Sequence, residues 1–573
     1  MKQKALHLSI AAAFTASALM LVACSDGDDG AQGKPGESGA QGQQGPAGEQ
    51  GAAGDQGSDG KSGIVLKRLA TAPLGAEFTG MYLNTDGTFF LNVQHPDGGN
   101  TSADSQGVIF DKGTVGVIVG TDFNSLNDFA ELPAPILESD KEVVLTAIGQ
   151  YQTLTQQDVA LADGKTMGDI ITLDGANVLK NSNDPDFNGV ISDGGTGYYV
   201  YTNWEDRPGG MSRIHVDGLD NTGYQSVTQE GMLDFSSVNG TWVNCFGTVS
   251  PWQTPLTSEE LYFDITSDWY DTSNGNPVAL ANYLGYPTDG TGNWPNPYDY
   301  GYIVEIGTNN TATAASVANV EVTKHFTLGR FSHENSVVMP DMRTVFLSDD
   351  GTGVILFKFI ADVANDLSAG TLYAAKVTQT AGVKDPAEAG FAIEWIELGH
   401  GTNSELTTVI RSYDGTVADA KHISDADINA WAEAKLNADI DGDMAIATSP
   451  FTDDRPAFLE SRKAAIALGA TGEFRKMEGI NINWGLASSW WNNGAADGAA
   501  AHMYLAMSSF DATMADDEGA IQLDGTDGPC GVVYRMVLEK NAAGLVDATS
   551  MIPAIVGGPY YADRSVNECN INN

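Results

Sequence analysis

Glycine recurs at every third position from Gly27 to Gly63, and no other feature of this 573-residue chain restricts its folding so tightly. A strict Gly-X-Y period is the signature of a collagen triple helix, because only glycine fits where three chains crowd a common axis. The tract holds only Pro35 and Pro46, so any triple helix is short and poor in imino acid. Two readings follow. Lys34, Glu37, Glu49, Asp55 and Lys61 pair between three chains of a homotrimer, or the tract is a solvated Gly-rich tether. Either way it is a stalk.

The segment before the tract reads as a leader. Met1-Lys2-Gln3-Lys4 is basic, Leu8 to Val22 is apolar, and Leu21-Val22-Ala23-Cys24 sets small residues before a cysteine. That order predicts a lipoprotein signal over residues 1–23, with a diacylglyceryl thioether on Cys24 anchoring an exported protein to a bacterial cell envelope. The apolar run falls short of the ~20 residues of a membrane span, and no basic stop-transfer cluster follows it.

Residues 64–573 form the remaining domain, long enough for several core units. Acidic residues outnumber basic ones 75 to 29, a formal charge of −46. Such a surface excludes nucleic acid as a partner and disfavours anionic lipid. It concentrates divalent cations and repels an anionic substrate unless bound metal inverts the local field. Beyond Cys24 the cysteines are Cys245, Cys530 and Cys569. An odd count leaves one unpaired; a Cys530–Cys569 disulfide would leave Cys245 for metal.

The long domain reads as all-β. Gly197–Thr202, Val354–Phe359 and Thr371–Val377 have strand length and composition, and turn clusters such as Asn84-Thr85-Asp86-Gly87 and Ser348-Asp349-Asp350-Gly351 punctuate them. Helices are few. Ser424 caps one through about Leu436, and Asp453 or Asp454 opens another running to about Leu468. Many short strands with little helix fit a sandwich pair, a large barrel or a propeller; the irregular period and long insertions, together with the family resemblance given below, favour a β-propeller of five to seven blades.

The chemistry concentrates in Asn244-Cys245-Phe246-Gly247-Thr248-Val249-Ser250-Pro251-Trp252-Gln253-Thr254-Pro255-Leu256-Thr257-Ser258-Glu259-Glu260. A thiolate is a soft ligand and carboxylates are hard ones, so both together suit a mixed or redox-capable metal centre. Neighbours on a strand point to opposite faces, so only one of Glu259 and Glu260 reaches the centre; Glu260 is our choice. This stretch resembles the Cys-x-Gly to Glu-Glu segment of PhoX-type alkaline phosphatases. Further ordered likenesses are Asp186–Gly189, Tyr199–Glu205, Pro208–Arg213, Leu328–Glu334, Val345–Asp350 and Phe474–Ile480. They cover essentially the whole domain.

The resemblance implies a six-bladed propeller whose central iron and calcium ions serve phosphomonoester hydrolysis. It implies Cys245 as the thiolate ligand of iron, with Glu334 and Glu478 as carboxylate partners. Glu260 and the pair Asn203 and Glu205 are the calcium-side candidates. Arg475 or Lys476 would hold phosphate oxygens, Arg by a fork and Lys as a point charge. Some positions depart from the family pattern. Trp204 stands where the family has His, and Lys476-Met477 replaces an Arg-Pro. A further blade is expected after Asn573, unless the strand ending at Gln94-His95-Pro96 closes the ring. His333 reads as a residue satisfied by backbone, and Asp439-Ile440-Asp441-Gly442-Asp443 as a turn, because its glycine sits wrongly for an EF-hand. The tryptophans Trp204, Trp252, Trp484, Trp490 and Trp491 read as core or rim packing. Two functions of different classes stand: a metal-dependent phosphomonoesterase, or a non-catalytic surface propeller on a stalk.

Overall fold

The computed structural model describes residues 67–219, 225–261, 263, 265–307, 317, 320–494, 501–525 and 531–557. The leader, Cys24, the Gly-X-Y tract, Cys530 and Cys569 lie outside the described residues. No helix among the described residues is long and apolar enough to cross a membrane.

The domain is a β-propeller built from antiparallel four-stranded meanders. Blade 1 comprises β1 (Glu77–Leu83), β2 (Phe89–Gln94), β3 (Thr114–Val119) and β4 (Gln150–Gln156). Blade 2 comprises β5 (Pro185–Ser192), β6 (Tyr198–Trp204), β7 (Gly210–Leu219) and β8 (Gln225–Met232). Blade 3 is β9 (Asn244–Val249), β10 (Pro255–Glu259), β11 (Ile303–Gly307) and β12 (Glu321–His325). Blade 4 is β13 (His333–Val338), β14 (Thr344–Asp349), β15 (Phe357–Val363) and β16 (Asp366–Gln379), extended by β17 (Phe391–Thr402). Blade 5 is β18 (Gly479–Ile482), β19 (His502–Met507), β20 (Val532–Val537) and β21 (Ser550–Val556). The first strands of successive blades, β1, β5, β9, β13 and β18, pack side by side around the centre.

Five blades stand where six were expected; no sixth lies among the described residues. Blades 4 and 5 are also less separate than the propeller pattern suggests. Phe391 and Ala392 of β17 pair with Met551 and Ser550 of β21, joining both blades in one nine-stranded sheet.

Apolar layers between blades hold the ring. Phe90, Val117, Val200 and Ile214 fill the space between blades 1 and 2, and Phe346, Phe391, Met503, Leu505 and Tyr534 that between blades 4 and 5. In β19 and β20 burial alternates, with Met503, Leu505, Tyr534 and Met536 inward and Tyr504 outward, as a period of two requires. The insertion between β10 and β11 packs Phe263, Trp269 and Tyr300 around Trp242, which precedes β9, at centroid spacings of 4.8–6.4 Å. Such pairs add about 0.5–1.5 kcal/mol each beyond area burial.

Two helix expectations meet different outcomes. Ser424 and Asp427 form a capping box on the helix Asp425–Leu436. The helix expected from Asp453 or Asp454 to about Leu468 is interrupted at Glu460 into Arg455–Leu459 and Ser461–Ala467. Glu460 is buried, and it accepts hydrogen bonds from Thr266 Oγ1 and Tyr298 OH at 2.7 Å each. That polar demand displaces the regular turn.

Candidate metal centre

Strand β13 is buried along its whole length, yet its first four residues are His333, Glu334, Asn335 and Ser336. Buried polar groups must be paired or serve a bound ion. The same holds on neighbouring first and second strands. Asp186 lies in β5, Cys245 lies in β9, Glu260 follows β10 and Asp350 follows β14, all buried, and the half-buried Glu478 precedes β18.

These side chains form a row. Cys245 Sγ lies 3.4 Å from Asp186 Oδ2, and 3.6 and 3.7 Å from the two oxygens of Glu334. Three overlapping triads, Asp186–Glu205–Cys245, Cys245–Glu260–Glu334 and Glu334–Asp350–Glu478, each bring donor atoms within 4.8 Å of one another. Cys245 belongs to two triads and Glu334 to two, so the row suits several adjacent cations.

Electrostatics give the row an unmet demand. Both carboxylate oxygens of Glu260 are buried and meet no hydrogen-bond donor. Burial, then the charges of Asp350 and Glu205, push its pKa well above the usual range. Burial and Glu205 do the same to Asp186, and burial raises Glu205. For Glu478, burial and then Asp350 raise the pKa to about 7. Carboxylates crowded this closely are costly unless protonated or bound to cations, and the donor set of one thiol and six carboxyls fits such ions.

Backbone and amide side chains fix these positions. Val243 has φ of 39°, a left-handed conformation unfavourable for a β-branched residue. Its carbonyl accepts the N–H groups of both Cys245 (2.9 Å) and Glu260 (3.0 Å). Strain thus sits where two donors are aimed. Asn203 donates to the carbonyls of Cys245 and Phe246, tying blade 2 to blade 3. Asn92 donates to Asp186 O and accepts from Asn188 Nδ2 (2.8 Å), tying blade 1 to blade 2. Asn335 donates to Ile480 O (2.8 Å) and accepts from Ile480 N (2.9 Å), tying blade 4 to blade 5 between Glu334 and Glu478.

Residues 216–497 match the family model of alkaline phosphatase PhoX. This segment belongs to the PhoX family. Residues 23–65 match the collagen triple helix repeat. No curated protein matches the chain in sequence. Among solved structures, the chain is similar to Pseudomonas fluorescens PhoX in complex with vanadate, a transition state analogue. That likeness has 18% identity, covers 67% of each chain and has a TM-score of 0.41. A putative 6-phosphogluconolactonase from Bacteroides uniformis is similar at 9% identity and a TM-score of 0.22, over 86% of this chain and 99% of that one.

The PhoX-family segment carries Cys245, Glu260, Glu334, Asp350 and Glu478; Asp186, Asn203 and Glu205 come from the preceding strands. The structure brings Cys245, Glu260, Glu334, Glu478 and Glu205 into the row. Asn203 lies beside it as a backbone clamp, with its Oδ1 buried and unbonded. Glu259 turns the other way, to Lys324 Nζ at 2.9 Å. Of the two expected phosphate-binding cations, Lys476 reaches the carboxylates. Arg475 does not serve there: its guanidinium is held by Asp511 at 2.8 Å and by Thr352. Among the described residues Cys245 forms no disulfide; the Cys530–Cys569 pairing lies outside the described residues.

Asp186 and Asp350 are candidate ligands that the sequence reading did not single out. Asp350 sits in a Ser-Asp-Asp-Gly cluster that reads as an exposed turn, yet it is fully buried. Arg462 holds this corner, with a fork on Asp349 and a 2.7 Å hydrogen bond to Asp350 O. His333 Nε2 meets Gly329 O at 2.8 Å, and burial lowers its pKa to about 3. Around Asp439, the carboxylates of Asp439 and Glu433 accept loop N–H groups, as a turn requires. Trp204 is buried and donates to Ser212 Oγ at 2.8 Å. A separate cavity of about 560 Å³ beside Trp431 and Phe451 shares no residue with the row, and Lys435 and Arg455 there pair with Asp454 and Asp453.

Proposed function

We propose that this chain is a metal-dependent phosphomonoesterase. The observation that carries the reading is the buried row from Asp186 to Glu478, above all Glu260 with two donorless oxygens. Membership of residues 216–497 in the PhoX family supports it. In this reading Cys245 with Glu334 and its neighbours holds iron, while Glu260, Asp350, Glu478 and Glu205 supply the hard oxygen sites suited to calcium. Bound cations would supply the positive charge an anionic phosphoryl group needs. The residues themselves hold that charge in place: the amide clamps fix the carboxylates, the buried walls exclude water, and Lys476 offers an ammonium to a phosphate oxygen.

The chain would act outside the cytoplasm, anchored by a lipidated Cys24 and held off the membrane by the Gly-X-Y stalk, whose collagen match is compatible with a trimer.

The test is metal content with activity. Protein folded in the presence of iron and calcium should retain both, and should show a visible thiolate-to-iron absorption band that Cys245→Ala abolishes. It should hydrolyse an aryl phosphate monoester at alkaline pH, and chelation should abolish that activity. Metal-replete protein inert towards monoesters, diesters and nucleotides would favour the non-catalytic surface propeller.

A further inference from the structure

Lys476 occupies an unusual place for a phosphate-binding residue. Its Nζ lies 2.7 Å from Asp350 Oδ2 and 3.5 Å from Glu478 Oε1. Those two carboxylates and Glu334 make up the outermost triad of the row. The ammonium therefore neutralises oxygens that a cation would ligate. Calcium binds carboxylate oxygen at ~2.3–2.6 Å, so an ion in this triad would sit beside the ammonium, and like charges oppose sharing.

The backbone at Lys476 cannot follow a departing side chain. Its N–H donates to Gly351 O at 2.8 Å, its carbonyl accepts from Ser508 N at 3.1 Å, and its φ of 47° is held between these two bonds. The four-carbon stem carries the freedom instead. The neighbouring guanidinium groups are committed. Arg475 is held by Asp511 and Arg462 by Asp349.

We infer that Lys476 is a built-in counter-ion that a bound cation displaces, so that filling the Glu334–Asp350–Glu478 triad swings its ammonium out towards an incoming phosphate oxygen. Metal loading and phosphate binding are then coupled through one side chain, a reciprocal linkage between two sites. The inference rests on the metal-dependent reading above and adds a sign to it. A residue that only supported the site would weaken metal binding when removed, whereas a displaced counter-ion strengthens it.

The experiment measures calcium affinity by titration calorimetry on chelator-stripped full-length protein, wild type against Lys476→Met, with circular dichroism confirming the fold. Lys476→Met should bind calcium at least tenfold more tightly and, once calcium-loaded, bind inorganic phosphate at least tenfold more weakly. Lys476→Arg, which keeps the charge, should stay within threefold of wild type for calcium, and it carries the test if the Met variant does not fold: a tenfold or larger change in either direction would then overturn the inference. Unchanged or weakened calcium binding in Lys476→Met overturns the inference alone. Wild-type protein that binds no calcium overturns both it and the phosphatase reading.

Discussion

Replacing Glu260 by Gln should move the stability of the metal-free and metal-loaded protein in opposite directions. Glu260 is fully buried, its oxygens have no donor, and its donor atom lies within 4.8 Å of those of Glu334 and Cys245. Two unit charges at that distance repel by about 3.5 kcal/mol at an effective dielectric of ~20. The metal-free protein escapes part of this by keeping a proton on Glu260, consistent with its raised pKa, but at alkaline pH that proton is itself costly to hold. Gln keeps the shape, carries no charge and offers two N–H donors to the neighbouring carboxylates. Net of imperfect amide hydrogen bonding, metal-free Glu260→Gln should be about 1–2 kcal/mol more stable at pH 8.

With cations present the sign reverses. A ligand at one hundred times its Kd stabilises the native state by about 2.7 kcal/mol, and a hundredfold loss of affinity reduces that to about 0.4 kcal/mol. Loss of one charged ligand oxygen is expected to cost at least that hundredfold, because ligand charge count sets calcium affinity. Thermal unfolding in chelator and in millimolar calcium should thus show a higher Tm for the variant in the first condition and a much smaller calcium-dependent rise in the second. A variant that is less stable in chelator yet keeps the full calcium increment would refute the reasoning, because Glu260 would then be an ordinary hydrogen-bonded carboxyl outside any ion site.

Asn335→Ala should cost about 2–4 kcal/mol, since it strips both backbone groups of Ile480 of their partner, and it should also lower calcium affinity by separating Glu334 from Glu478; denaturant unfolding and calcium titration check both. At Glu305 burial favours the neutral acid, but hydrogen bonds from His325, Trp252 and Thr254 outweigh it and hold the pKa down to about 2. A depressed acid stabilises the fold above its unfolded pKa of 4.5 and loses that contribution as pH falls towards 2, so about 3 kcal/mol should vanish over this window. Glu305→Gln should flatten that part of the acid-unfolding curve of the metal-free protein.

Residues whose roles follow from local pattern were legible. Alternation along β10 separates Glu259 from Glu260, and the structure sends one to Lys324 and the other into the row. Ser424 marks its helix because a capping box is written within four residues. What failed was legible only through long-range packing. Asp349 and Asp350 look like an exposed turn because acidic pairs before glycine usually face water; here the turn points to the centre, where four other blades exclude solvent and Arg462, more than a hundred residues away, neutralises Asp349. Blade boundaries were hidden for the same reason. The bridge from Phe391 to Met551 that fuses blades 4 and 5 leaves no local trace. The split at Glu460 likewise depends on Thr266 and Tyr298 from blade 3.

The costly charges and the stabilising core occupy different parts of each blade. Apolar contacts such as Phe90 with Val200, or Phe391 with Tyr534, lie between the blades, whereas the carboxylates sit on first strands or at the ends of first and second strands. The two regions meet at amides. Asn92, Asn203 and Asn335 each spend side-chain hydrogen bonds on the backbone of the next blade, beside a candidate ligand. Neutral amides do this without adding to the negative field, which a carboxylate clamp would have deepened. The core can therefore hold the ring while the centre keeps crowded acids, and the free energy stored in their repulsion is released when a cation arrives. A site built this way gains affinity from what the metal-free state lacks. That is why its variants should be judged by the sign of their effect in chelator as much as by any loss of activity.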